Sequence, residues 1–513
     1  MLKNIQSFSQ DNIEDMSRYC AAVLLFLIQL GDCCPELCQC FTAAKVICSD
    51  DTMRVLPVNI SAQVKELIVV ASGLTYMDRS SFREDLRLTK LVILNNLLKT
   101  ISYNTFENLV ELQELEISGN SHLLTFKMQT FNKLTNLSRL SLNNNKISLD
   151  NDIFDPLQKL ETLQLRGNNL SSLPNLLFHN LHNLLELDLS LNHVSSLSAD
   201  IFQNNSRLRV LSLQGNMISQ LPEGIFSHLD ALEDLNLRNN HIINLNPGVF
   251  PSNLQKLILK NNMLVQLSPM IFDKLQQLTY LDLSQNQLSE LPSDLFQNLS
   301  SLKNLDLSEN QITALPGTVF KGLVKIKAIH LQKNNLSSLK VNLFMDQQDM
   351  DQLYLSKNSL QNIPNGFFDY LNFHCIVQLH GNPWRCDCEI QYLHHWLRYN
   401  HENVEDLSRV YCKAPEFIRG QNLLSIDQEQ LVCVKNSSSI TPGVTKILPN
   451  SNNDSTIQCS LQELKGAISI QCKVTKCTSV KFQALFEHSD GNYSKYIESI
   501  VWSAPLGCFN GTA

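Results

Sequence analysis

The stretch LHGNPWRCDCEIQYLHHWL, residues 379–397, concentrates the side chains of this chain most able to do chemistry. Cys386 and Cys388 lie one residue apart, and His394 and His395 follow shortly after. Thiolates and imidazoles are common zinc ligands, but structural zinc sites usually place roughly two to four residues between their cysteines. Adjacent residues of a helix also do not share a face. We therefore expect disulfides here, with both histidines on the surface of a helix.

The composition indicates an ordered chain that does not bind nucleic acid. Of its 513 residues, 43% are hydrophobic and 18% charged, so it can bury a large core, and it is too long for one compact domain. The formal net charge is -8, and no basic segment is interleaved with aromatic residues. Neutralising phosphates requires an excess of lysine and arginine, which this chain does not have.

The N-terminal region predicts secretion. An apolar stretch from Cys20 to Leu30 has the length of a signal-peptide core and is too short to span a bilayer. We expect a signal peptide within residues 1–32, with translation starting at Met16, and the alternative is an apolar core helix. No later stretch is long and apolar enough to cross a membrane.

Cysteine and asparagine usage fits the same extracellular compartment. The chain has 15 cysteines, and disulfides persist outside the cell. Ten Asn-x-Ser/Thr triplets are candidate glycosylation sites. They are Asn59, Asn136, Asn169, Asn204, Asn298, Asn335, Asn436, Asn453, Asn492 and Asn510.

A repeat of the form L-x-x-L-x-L-x-x-N-x-L fills residues 64–373, as in LETLQLRGNNL and LKNLDLSENQI. This is the leucine-rich repeat pattern, and we count thirteen copies. Ser72 replaces the asparagine in the first copy. The asparagines of the others are Asn96, Asn120, Asn145, Asn168, Asn192, Asn216, Asn240, Asn262, Asn286, Asn310, Asn334 and Asn358.

The repeat predicts an α/β solenoid, a horseshoe whose concave side is one parallel sheet. The asparagine amides should bond backbone groups where the chain leaves each strand. One phenylalanine per repeat should form a ladder beneath the convex side. The ladder comprises Phe82, Phe106, Phe131, Phe154, Phe178, Phe202, Phe226, Phe250, Phe272, Phe296, Phe320, Phe344 and Phe368.

Both ends of such a stack need a cover, because the repeats contact only their neighbours. The segment CPELCQCFTAAKVIC, within residues 33–63, resembles the N-terminal cap of extracellular leucine-rich repeat proteins. That resemblance implies bonds from Cys34 to Cys40 and from Cys38 to Cys48. Spacing alone leaves three connectivities open.

The segment LHGNPWRCDCEIQYLHHWL resembles the C-terminal cap of the same proteins, over residues 374–434. Asn382 follows Asn358 by one repeat, so VQLHGN supplies a last strand before NPWRCDC. The resemblance implies bonds from Cys386 to Cys412 and from Cys388 to Cys433. Trp384, Leu393, Trp396 and Leu397 should cover the last repeat's core.

The rest of the chain predicts a linker and a small module. Residues 435–456 are rich in Ser, Asn, Thr and Pro, which is typical of a linker. Residues 457–513 alternate in short strand-like segments and predict a β-rich module with Cys459, Cys472, Cys477 and Cys508. Their pairing stays open, and Cys33 and Cys375 have no assigned partners.

The concave face is the natural binding surface, and its character changes along the stack. In the first two repeats the fifth and seventh positions are Ile68, Val70, Val92 and Leu94. In the middle they include Arg166, Asp188, Arg238 and Lys260. An exposed apolar patch usually marks a protein contact. We therefore hypothesise that the four apolar residues of the first two repeats dock a partner. The alternative is that the N-terminal cap folds over them.

We predict no catalytic site, no cofactor and no metal. The 13 histidines include no His-Glu-x-x-His motif, and neither a Gly-x-Ser-x-Gly motif nor a P-loop occurs. Asp282, Asp306 and His330 could suggest a triad. We interpret them as solvated groups of an open concave face, because catalytic residues normally need a pocket.

The whole order resembles the family of regulatory, non-catalytic subunits of plasma carboxypeptidase N. The motifs LHGNPWRCDC, YLHHWL, YCKAPEFIRGQ, EQLVC and IQCSLQELKGAISIQCKVTKC carry the resemblance. It implies a glycosylated plasma protein that binds and stabilises a zinc carboxypeptidase catalytic subunit, with the zinc in that partner. The alternatives are the ectodomain of a cell-surface adhesion receptor of the platelet glycoprotein V type and a secreted innate-immune binding protein.

Overall fold

The computed structural model describes residues 34–433 with their side chains, and four later strands by their backbone. These strands are Ile457–Leu464, Ala467–Val474, Ala484–Glu487 and Tyr493–Tyr496. The predicted signal peptide and linker lie outside the described residues, as do Cys33, Cys477 and Cys508. The same holds for Asn436, Asn453, Asn492 and Asn510. The chain divides into two compact units, Met1–Leu431 and Val432–Ala513.

The first unit is a solenoid built on one 17-stranded sheet. Each of the thirteen predicted repeats supplies one strand, and Ile376–Gln378 of the C-terminal cap supplies a fourteenth. Consecutive strands pair in parallel, one repeat apart. In chain order the thirteen are Glu66–Val70, Lys90–Leu94, Glu114–Ser118, Arg139–Ser141, Thr162–Gln164, Glu186–Asp188, Val210–Ser212, Asp234–Asn236, Lys256–Ile258, Tyr280–Asp282, Asn304–Asp306, Ala328–His330 and Gln352–Tyr354.

Three further strands complete this sheet at its ends. Cys38–Thr42 and Lys45–Cys48 form an antiparallel pair, and Lys45–Cys48 lies parallel to Glu66–Val70. At the other end Val404–Glu405 lies parallel to Ile376–Gln378. The ends of the stack are therefore paired rather than left as open strand edges.

The remaining elements are short. The one α-helix of the described residues, Gln391–Asn400, is called the cap helix below. Two-residue strands pair at Tyr76–Met77 with Thr100–Ile101, and Trp384–Arg385 pairs with Cys412–Ala414. The 3-10 helices are Arg79–Ser81, Cys388–Ile390, His401–Asn403, Leu407–Arg409, Glu416–Ile418, Leu423–Ser425 and Gln428–Gln430. In the second unit, Ile457–Leu464 pairs antiparallel with Ala467–Val474, and Cys459 stands opposite Cys472 in the register.

The predicted asparagine ladder is confirmed as a set of buried clamps between repeats. Each of the twelve asparagines is at most 7% exposed. At Asn310 the side-chain nitrogen donates to the carbonyl oxygens of Leu283 and Leu307, at 3.0 and 3.1 Å. The side-chain oxygen accepts from the backbone nitrogen of Leu288, at 3.1 Å. One amide thus joins backbone groups of two repeats and gives the buried N–H of Leu288 an acceptor. The two carbonyl oxygens also accept from the neighbouring ladder residues Asn286 and Asn334.

The predicted phenylalanine ladder is also confirmed, with a change at its last step. Of the eleven neighbouring pairs from Phe82 to Phe344, nine have ring centroids 5.5 to 6.4 Å apart. The exceptions are Phe154 with Phe178 and Phe226 with Phe250. Beyond Phe344 the next contact is Phe367, whose ring stands edge-on. Phe368, the predicted member, packs instead on Trp396 of the cap helix at 4.2 Å. At its last step the ladder therefore packs against the cap helix through Phe368 and Trp396.

Candidate binding surface on the concave sheet

The four apolar residues of the first two repeats form a square on neighbouring strands. In the parallel register Ile68 faces Val92 and Val70 faces Leu94. We call this set the concave apolar end. The next strand carries Glu116 and Ser118 at the matching positions, so the apolar character stops after two repeats.

The concave apolar end is partly shielded by its own neighbours. Val92 is 8% exposed, and Ile68, Val70 and Leu94 are half-buried. The cap strand Lys45–Cys48 places Ile47 beside Ile68 and so continues the sheet in its own plane. Three of the four side chains therefore keep part of their surface in solvent, where a partner can bury it.

The middle of the concave face is polar, as its sequence predicts. Arg166 donates to the hydroxyl of Ser190 at 3.1 Å, and the backbone nitrogen of Ser190 donates to Asp188 at 2.8 Å. Arg238 and Lys260 have no ion pair among the described residues. This region offers charges to a partner instead of neutralising them internally.

Asp282, Asp306 and His330 form one line across three adjacent strands. Nδ1 of His330 lies 3.8 Å from an oxygen of Asp306, and its ring stacks on Tyr354 with centroids 4.6 Å apart. The Ser284 hydroxyl donates to Asp282 at 2.6 Å. Because that hydroxyl bonds a carboxylate and not the imidazole, these residues do not make a serine–histidine nucleophile pair. Tyr354 was not predicted as part of this group. It could have been, because it holds the fifth position of its repeat, as His330 does in the preceding repeat.

The two carboxyl groups of this line differ in their pKa. Burial raises the pKa of Asp282, against the hydrogen bonds from Ser284. Burial acts in the same direction on Asp306, but the neighbouring His330 ring and the hydrogen bond from Ser308 outweigh it and lower the pKa of that carboxyl. Asp306 therefore keeps its negative charge on the concave face to lower pH than Asp282 does.

The cysteines at the two ends of the stack are bonded as the cap resemblances imply. Cys34 bonds to Cys40, Cys38 to Cys48 and Cys386 to Cys412. Cys388 and Cys433 are also disulfide-bonded, which agrees with the bridge implied between them. Cys375 is a buried free thiol, and burial raises its pKa to about 12. In the part of the chain that the structure describes, no three His, Cys, Asp or Glu side chains gather around a metal-sized space.

The expected cover of the last repeat is present, but the expectation for the histidines is wrong at His394. Trp384, Leu393 and Leu397 are fully buried, and Trp396 is partly buried against the core. His395 is exposed. His394 is only 2% exposed, and its Nε2 donates to the carbonyl oxygen of Ile426 at 2.8 Å. The segment around Ile426 covers that face of the cap helix, a contact that helical spacing alone does not show.

The six described glycosylation triplets differ in accessibility. Asn59, Asn136, Asn169, Asn298 and Asn335 are exposed. Asn204 is half-buried, and its amide nitrogen donates to the carbonyl oxygen of His179 at 3.0 Å. Glycan attachment at Asn204 would break that bond.

Comparisons with known proteins agree with this architecture. Residues 62–184 match the family described as "BspA type Leucine rich repeat region (6 copies)". Overlapping stretches from residue 158 to residue 360 match the family described as "Leucine rich repeat". Together the matches cover residues 62–360. No helix among the described residues is long and apolar enough to cross a membrane.

Two curated relatives and one solved structure are informative. Mouse carboxypeptidase N subunit 2 is 32% identical over 157 residues, which is 28% of each chain. Human reticulon-4 receptor-like 2 is 31% identical over 126 residues, or 24% of this chain and 30% of the relative. The chain thus spans less than a third of either relative. A leucine-rich repeat protein of Leptospira interrogans matches with a TM-score of 0.57 and 24% identity, covering 70% of this chain and 94% of the other, and shows the fold alone.

Proposed function

The chain belongs to the leucine-rich repeat family, and on that premise we propose that it is a secreted, non-catalytic subunit that binds a plasma zinc carboxypeptidase of the carboxypeptidase N type. Binding stabilises the enzyme and prolongs its active lifetime. The zinc belongs to the catalytic partner, and this chain contributes a surface. The observation that carries the proposal is the local similarity to carboxypeptidase N subunit 2.

The architecture supports a binding role of this kind. A solenoid offers a wide curved face with few enclosed cavities, which suits the surface of a folded protein better than a small substrate. Both caps contain disulfide bonds, which are typical of extracellular proteins because they persist in an oxidising compartment. Exposed Asn-x-Ser/Thr sites fit a plasma glycoprotein.

The contact with the carboxypeptidase is assigned to the concave apolar end. Ile68, Val70, Val92 and Leu94 place branched apolar side chains on a rigid sheet, and only Val92 is nearly covered. Burying the half-exposed ones against a partner removes apolar surface from water without reshaping the backbone.

Co-expression tests the role. The full chain is secreted together with a carboxypeptidase N catalytic subunit, and the medium is separated by size. We expect co-elution and a longer active half-life of the enzyme at body temperature. The role would be refuted if the catalytic subunit eluted separately and lost its activity as fast as it does without this chain. The matched control is the ectodomain of human reticulon-4 receptor-like 2, which shares part of the sequence pattern and should not co-elute.

A second candidate is the ectodomain of a cell-surface adhesion receptor, which the similarity to a receptor-like protein favours. If the chain has that function, it should bind to cell surfaces and not to the carboxypeptidase. Binding of the labelled chain to the surface of cultured cells, without binding to the carboxypeptidase, would favour the receptor function. Pattern recognition as an innate-immune binding protein rests on fold analogy alone.

A further inference from the structure

One edge of the solenoid carries an apolar patch that neither the concave face nor the core accounts for. The strand asparagine of each repeat is followed by a short segment whose first and third residues point to solvent. In repeats seven to nine these positions are mostly apolar. With the leucine that packs over Gly215, they form what we call the edge patch: Leu191, Met217, Ile243, Met263 and Val265.

The edge patch is exposed and contiguous. Each of its members is 41–46% exposed. Backbone bonds fix the stacking of these segments, because Met217 donates to Val194 of the preceding repeat and Met263 donates to Ile242, both at 2.9 Å. Ile243 and Val265 hold the same position in successive repeats, about 5 Å apart, and Met263 lies two residues before Val265. Met217 and Leu191 lie diagonally to their neighbours, within reach of long side chains, and Ser219 and His241 hold the intervening positions. Five such side chains together form a surface of the kind that marks a protein contact.

The neighbouring repeats act as an internal control. At the same two positions repeat five has Asn169 and Ser171, and repeat ten has Gln287 and Ser289. The fold therefore does not require apolar residues there. Asn169 and, further along, Asn335 are also candidate glycosylation sites on this same edge. Glycans at those two positions would flank the patch and leave it open.

The charges beside the edge patch are positive and unpaired. Arg238 and Lys260 occupy the seventh strand positions of repeats eight and nine, and neither has an ion pair among the described residues. Nε of Arg238 lies 3.4 Å from the side-chain oxygen of Asn239, so the guanidinium leans toward this edge. By contrast, nearby Arg209 and Lys256 are paired with Glu233 and Asp234, at 2.6 and 3.0 Å.

We propose that the edge patch, with Arg238 and Lys260, docks an acidic segment of a separate protein that presents apolar side chains. The apolar residues of the segment cover the methionines and branched side chains, and its carboxylates pair with the two cations. Residues 432–513 of this chain carry seven lysines and five acidic residues, so their charge does not complement the patch. The inference is independent of the carboxypeptidase role, because it uses the edge of repeats six to nine and two cations in the middle of the concave face, and not the concave apolar end.

A random peptide library displayed on phage is the probe. It is selected on the full chain and counter-selected on a quadruple variant, Met217→Gln, Ile243→Ser, Met263→Gln and Val265→Ser. These replacements are residue types that other repeats carry at the same positions, so the melting temperature should stay unchanged. We expect the peptides lost on the variant to combine Asp or Glu with large apolar residues. Their affinity should fall about tenfold or more on the variant.

A second variant tests the charges without touching the apolar residues. Arg238→Gln with Lys260→Gln should weaken the same peptides and remove most of their salt dependence. Patch-dependent peptides that are basic or uncharged would overturn the proposal, as would a selection that yields no patch-dependent peptide. Self-association of the wild-type chain that the quadruple variant abolishes, measured by sedimentation, would also overturn it, because the occupant would then be a second copy.

Discussion

Replacing Asn310 with Ala tests how the asparagine ladder holds the repeats together. The side chain makes two short donor bonds and accepts one, and it is 7% exposed. Each of the two donor bonds contributes about 1 kcal/mol net, and the buried N–H of Leu288, left without its acceptor, costs about 1 to 3 kcal/mol. We therefore expect Asn310→Ala to lower the local free energy of opening by about 3 to 5 kcal/mol.

Hydrogen exchange followed by mass spectrometry is the suitable assay, because a long repeat array need not unfold in one step. Peptides that contain Leu283 to Leu307 should exchange on the order of a hundred to several thousand times faster in Asn310→Ala. The matched control is Asn304→Ala, in the same repeat but exposed, which should change opening by less than about 0.5 kcal/mol. Equal exchange in the two variants would refute the clamp function of the ladder.

Three further perturbations probe the core, the C-terminal cap and the surface. Phe296→Ala removes a fully buried member of the phenylalanine ladder and should cost about 3 to 5 kcal/mol, seen as a lower urea midpoint; an unchanged midpoint would contradict the packing described. Burial holds the folded pKa of His394 below its usual 6.5. The unfolded chain therefore takes up the proton first, so cap stability is complete above about pH 6.5 and falls as pH drops toward the folded pKa. His394→Gln should reduce this pH dependence in thermal melts whereas His395→Gln keeps it, since burial also lowers the pKa of His380, which remains in both variants; the same dependence in all three proteins would contradict this account. Glycopeptide mass spectrometry should find Asn169 and Asn335 occupied and Asn204 the least occupied of the described sites, and full occupancy of Asn204 would contradict its hydrogen bonding to His179.

Much of the solenoid could be predicted because the same residue types return at the same positions of every repeat. One residue type per position, at a nearly constant spacing, specifies the strand, the asparagine clamp and the phenylalanine ladder, and each copy supports the reading of the next. The burial of His394 was missed because it depends on Ile426, thirty-two residues away and outside the repeat pattern. The exchange of Phe368 for Phe367 was missed for a similar reason, since the cap helix decides which of two adjacent rings joins the ladder.

The binding surface could be predicted only in outline. The alternation of strand positions identifies which residues face the concave side, including Ile68 and Val70. It does not show that Val92 is nearly covered, since that depends on the side chains of both neighbouring strands. The edge patch becomes visible only when parallel stacking brings residues of separate repeats, such as Ile243 and Val265, to neighbouring places on one edge.

The affinity of the chain for a carboxypeptidase N catalytic subunit, compared between wild type and two double variants, tests the central claim most directly. Val70→Asp with Leu94→Asp changes the concave apolar end. Ser212→Asp with Gln214→Asp introduces the same charges at two half-buried concave positions, the fifth and the seventh of repeat seven. We predict at least about tenfold weaker binding by the first variant and unchanged binding by the second, with both melting like the wild type. Equal binding by all three proteins, or unfolding of the first variant, would contradict docking through the concave apolar end.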